Sequence, residues 1–232
     1  LHLTESVLRG NEAAVGGAVG SGGCCSYSFI TLEGVVFEDN VALVDGGAMY
    51  GSSTIVESTH SRYIDNTAIE GSGGAVAYVT LSSEGDTFLG NTAGEWGGAV
   101  GYAPVEMTDV WLADNTATHG GAIGASYAHE VRVSGATLNH NTATTAGGAI
   151  AVVGTPLELS DAVLCGNSAA IGGALWSERH LGATLSHLQL LNNTAQLRGG
   201  ALFINVTGSA SESSTTTALI QSTVAGNVAP AS

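Results

Sequence analysis

Eight times along this chain an (apolar)-x-x-Asn tetrad is followed by a Gly-Gly-Ala-(apolar) tetrad. The first cycle reads Leu8, Asn11, Gly16, Gly17, Ala18 and Val19, and the fourth reads Phe88, Asn91, Gly97, Gly98, Ala99 and Val100. A ninth asparagine tetrad runs from Val224 to Asn227. The recurring asparagines are Asn11, Asn40, Asn66, Asn91, Asn115, Asn141, Asn167, Asn193 and Asn227, spaced by 29, 26, 25, 24, 26, 26, 26 and 34 residues. Self-similarity at such a period marks a solenoid rather than an ordinary globular domain.

A period near 25 suits a leucine-rich horseshoe or a right-handed parallel β-helix. The cycles carry short alternating runs such as Val131-Arg132-Val133 and Leu157-Glu158-Leu159, broken by Gly and Asn. Such runs read as strands of three to five residues, and helix-period stretches are absent. The expectation is therefore an all-β chain: a right-handed, single-stranded parallel β-helix of about nine coils, with three short strands per coil. Residues 1–232 form one unit, with loop excursions near 20–30 and 205–218. Residue 1 is not Met and already lies within a repeat, so a piece of a longer protein is expected.

Each tetrad then has a physical task. The apolar residue before Asn points inward, and Asn is expected at a left-handed corner, stacking into an amide ladder. The Gly pair makes the next corner. If the apolar residue after the tetrad alanine faces inward, period two turns that alanine outward, together with Gly20, Tyr50, Ala77, Gly101, Gly124, Ala151, Trp176 and Phe203. Either parity leaves a strip without charge, which a partner or a loop of the chain itself must cover.

Acidic residues number 20 against five basic ones, all arginine, for a net charge of −15. Nucleic acid is excluded as a partner on this ground, since binding a polyanion needs clustered cations. No apolar run is long enough to span a bilayer as a helix. Cys24 and Cys25 are adjacent, open to a vicinal disulfide, and Cys165 lies six repeats on. At roughly 4.8 Å per coil it is about 30 Å away, far beyond disulfide reach.

The paired tetrads resemble those of the chlamydial polymorphic outer-membrane proteins, over the whole chain. The resemblance implies a β-helix exposed on a cell surface and acting in adhesion. Phenylalanine survives before the asparagine only as Phe37 and Phe88, with Tyr63 between them.

Polysaccharide-cleaving β-helices need converging carboxylates. Asp39 and Asp65 occupy matching turn positions one coil apart with Glu38 nearby, a pair able to hold Ca²⁺ yet of a kind more often simply solvated. No active site, metal or cofactor is expected. The histidines lack zinc spacing, and His119 is placed one coil above Trp96 as a stacking contact. Thr67, Thr92, Thr116, Thr142, Ser168 and Thr194 form a column after the ladder Asn, expected at a corner and too narrow for ice binding. Asn192 and Asn205 open glycosylation sequons, Asn205 being the better placed because it begins a polar insert.

The functional expectation is a non-catalytic extracellular module of a large cell-surface protein: an adhesion or recognition rod for a protein or glycan. The alternative is a structural block of an extracellular filament, self-associating along its apolar strip; a polysaccharide-active enzyme comes third.

Overall fold

The computed structural model describes residues 1–22, 27–128, 130–179, 182–205 and 217–230. Every element among them is a strand, every strand pairing is parallel, and no helix is long and apolar enough to cross a membrane. The strands form four stacked sheets of nine, nine, eight and eight strands, in which neighbours are equivalent segments of successive coils. The chain is a parallel β-helix.

One coil shows the plan. Thr54–Thr59 belongs to the first sheet, Arg62–Ile64 to the second, Thr67–Ala68 to the third and Val76–Ala77 to the fourth. The sequence implies three strands per coil; the extra one is the two-residue segment directly after the ladder asparagine. The threonine column therefore lies in a sheet, Thr67 opposite Thr92 and Thr92 opposite Thr116, rather than at a corner.

Inside, like stacks on like. Phe37, Tyr63, Phe88, Leu112, Leu138, Leu164 and Leu190 are fully buried. The rings of Phe37 and Tyr63 lie 5.1 Å apart and nearly parallel, those of Tyr63 and Phe88 4.5 Å apart. Such offset stacks add to the burial that drives the coil together.

The asparagine ladder is continuous. Asn66 Nδ2 donates to Asn91 Oδ1 at 3.0 Å and to the Phe37 carbonyl one coil back at 3.0 Å, and the Asn66 amide donates to the same Asn91 oxygen. The pattern recurs from Asn11 to Asn227. Buried amides are costly unless paired, and here each inner one is fully paired. The left-handed residue, however, is the one before each asparagine: Asp39, Asp65, Gly90, Asp114, His140, Gly166, Asn192 and Gly226 all have φ between 52° and 67°. The ladder asparagines adopt ordinary backbone angles because their side chains must turn inward.

The Gly pair divides its work. Gly46 has φ +67°, a conformation glycine adopts freely. A Cβ on Gly47 would lie 2.0 Å from the carbonyl oxygen of Gly74 in the next coil. The following alanine turns inward, against the sequence expectation. Ala48, Ala75, Ala99, Ala122, Ala149 and Ala174 are fully buried beside Met49, Val76 and their equivalents. The physical cause is a kink: the Ala75 carbonyl accepts from both Ala48 N and Met49 N, so two consecutive side chains face the core.

Candidate recognition surface

Of the two covers left open for the outward strip, a partner or the chain itself, the structure shows the chain itself over most of it. Trp176 is 9% exposed and packs with Ala146 and Ala151, while Trp96, Val153, Ile171 and Phe203 close in around them. Of these, Trp96, Ala146 and Ile171 belong to the segment preceding a Gly pair, whereas Ala151, Val153, Trp176 and Phe203 stand on the fourth sheet itself. Ala77, Gly101, Gly124 and Ala151 are small because that segment lies over them: a Cβ on Gly101 would meet the Trp96 carbonyl at 2.4 Å. Tyr50 and Phe203 remain half-exposed.

Trp96 and His119 stack at 4.5 Å and 13°, and burial lowers the His119 pKa. The rings continue outward through Trp96–Tyr102 at 5.8 Å, Tyr78–Tyr102 at 5.3 Å and Tyr50–Tyr78 at 5.7 Å. The Tyr78 phenol is pushed up to about 12, by partial burial first and then by Asp45 and the neighbouring tyrosines and Glu95.

A shallow trough of about 260 Å³ crosses four coils of the first sheet's outward face. Its polar wall is one column, in which Glu57, Ser82, Glu106 and Arg132 are successive register partners. Ile55, Thr80, Pro104 and Glu130 line the neighbouring side. Arg132 is held over the trough's end, its Nη2 2.9 Å from Glu130 and its Nε donating to Glu158 at 3.1 Å. The alternation of strand side chains produces this face: Leu81, Val105, Met107 and Val131 fill the core while their neighbours project outward. Nothing in the sequence singles these residues out, because the residue in this column changes from each coil to the next.

The other sequence candidates separate. Asp39 and Asp65 do occupy one column, and the Asp65 carboxyl is raised by burial, then by Asp39 and Glu38. Glu38 is drawn to Arg9, whose Nε donates to it at 2.9 Å. Among the described residues no group of three or more His, Cys, Asp or Glu is placed to hold a metal. Asn192 and Thr194 of the first sequon are exposed; Asn205 ends a strand half-buried, with the rest of its sequon outside the described residues. Cys24, Cys25 and the central parts of the excursions expected near 20–30 and 205–218, residues 23–26 and 206–216, also lie outside them, and Cys165 is free and half-buried.

A buried carboxylate escaped the sequence reading. Asp86 is 1% exposed; its Oδ1 accepts from Ser61 N at 2.6 Å and its Oδ2 from Ser83 Oγ at 2.7 Å. Burial raises its pKa, and the nearby Tyr63 phenol, bonded to Ser58, is raised by burial and by Asp86. The group is buried inside the coil.

No protein-family model, no curated protein and no solved structure matches this chain.

Proposed function

We propose that this chain is a non-catalytic, extracellular β-helical module of a cell-surface protein, a recognition rod whose first sheet takes an extended glycan. The observation that carries the reading is the trough. It presents one polar group per coil, from Glu57, Ser82, Glu106 and Arg132 in turn, a spacing of about 4.8 Å comparable to the advance of one sugar along an extended polysaccharide. Carboxylate and guanidinium groups make the charge-assisted hydrogen bonds that sugar hydroxyls need, and Ile55 and Pro104 supply an apolar side. The trough carboxylates Glu57 and Glu106 are exposed, a setting suited to binding rather than to the burial that tunes a general acid. The resemblance of the repeat to chlamydial surface proteins supports the same reading.

Arg132→Ala and Glu106→Ala should each weaken retention on a panel of immobilised polysaccharides at least tenfold. A protein that binds no glycan, or shortens one, contradicts the proposal. A second reading, a building block of a filament, draws support from the second sheet's outward face. There Ile64, Leu89, Cys165 and Leu191 share one column, and Trp111 beside it is 51% exposed. Trp111→Glu should abolish any polymer seen by sedimentation if that face packs laterally.

A further inference from the structure

Tyr78 and Tyr102 sit one coil apart at matching left-handed corner positions, with φ 59° and 51°. The Tyr78 amide donates to the carbonyl of Gly101, directly before Tyr102, fixing the two backbones together. Their rings are nearly parallel, 13° between planes and 5.3 Å between centroids, and Tyr78 is 41% exposed. The geometry points to an oxidative cross-link: Tyr78 and Tyr102 are the paired sites of a dityrosine staple between consecutive coils, formed by a haem peroxidase with hydrogen peroxide.

The chemistry balances. Each phenol gives up one electron and its phenolic proton; the two phenoxyl radicals join through carbons ortho to oxygen, and the displaced ring hydrogens move to the oxygens as aromaticity returns. The pair loses two hydrogen atoms in all, and one hydrogen peroxide is reduced to two waters. Three features favour this pair. Stacking one coil apart keeps the two rings adjacent, with their centroids 5.3 Å apart. Asp45 and Glu95 lay negative field on both phenols, which eases electron removal. Trp96, 5.8 Å from Tyr102 and itself against His119, gives an oxidising hole formed elsewhere on the strip a path to the pair. Tyr50 is nearly as close to Tyr78 but tilted by 55°. Tyr27 and Tyr127 are more exposed at 71% and 67%, and the Tyr127 oxygen accepts from Arg179. This inference is independent of the glycan reading.

The test treats the whole protein at low concentration with peroxidase and hydrogen peroxide, followed by cleavage after glutamate. Residues 71–84 and 96–106 are then separate peptides unless joined, since Glu84 and Glu95 lie between the tyrosines. The expected result is a monomer lighter by two hydrogen atoms, dityrosine fluorescence, and those two peptides recovered as one. Tyr102→Phe, which keeps the ring and its packing, should abolish the joined peptide, whereas Tyr50→Phe should leave it. A product only between chains, a link from Tyr78 to Tyr50 instead, or equal yield in Tyr102→Phe would overturn the assignment.

Discussion

Single side chains decide how well one coil seats on the next. Asn115→Ala would strip an acceptor from Asn91 and a donor from the Phe88 carbonyl, all in the buried ladder. Its cost is expected on the order of 3 kcal/mol by denaturant unfolding, with a smaller loss for the partly exposed Asn227. Gly47→Ala meets the Gly74 carbonyl and should cost more than about 4 kcal/mol, whereas Gly10→Ala, with open space around it, should cost only about 1 kcal/mol. Ser177 is buried with an unpartnered hydroxyl, in register with Val152 and Ile204, so Ser177→Ala should raise the melting temperature. The Asn ladder and the Gly corners were legible in the sequence because they recur in every coil, whereas the left-handed corner belongs to the varying residue before each Asn. Asp86 was not legible: in a string of letters it resembles any turn carboxylate, and only the coordinates place Ser58, Ser61 and Ser83 around it.

At the scale of elements, the second sheet's inner corner carries a pH dependence through that carboxyl. A carboxyl whose folded pKa is raised favours the fold when protonated; its contribution is fully present below the unfolded value of 3.8 and is lost as pH rises through the folded value. Asp86→Asn, which keeps an acceptor for Ser61, should therefore gain stability over the parent at pH 7, with the difference shrinking towards pH 4. Thermal melts across that range check the sign. Strands themselves were legible from alternation, but their number per coil was not, because in the first four coils the strand after the ladder asparagine, such as Thr67–Ala68, is only two residues long and too short to alternate. The tetrad alanine was misplaced for a related reason: period two holds along a strand, and the shared carbonyl at Ala75 ends it.

For the whole molecule, the repeat specified the solenoid, while the surfaces that give it a use are written in the variable positions. The trough draws on Glu57, Ser82, Glu106 and Arg132, three residue types in one column, and the tyrosine row on Tyr78 and Tyr102, each two residues after its tetrad, with Tyr50 one residue after its own. Periodicity conveys none of this. Everything functional depends on columns running unbroken along the axis, and the asparagine column can be observed directly in solution. With asparagine side chains selectively labelled, nuclear Overhauser contacts between side-chain amide protons should link Asn11, Asn40, Asn66, Asn91, Asn115, Asn141, Asn167, Asn193 and Asn227 in that order, with slow exchange at the inner seven. Amides that exchange rapidly and show no contact with one another would contradict the stacked coil.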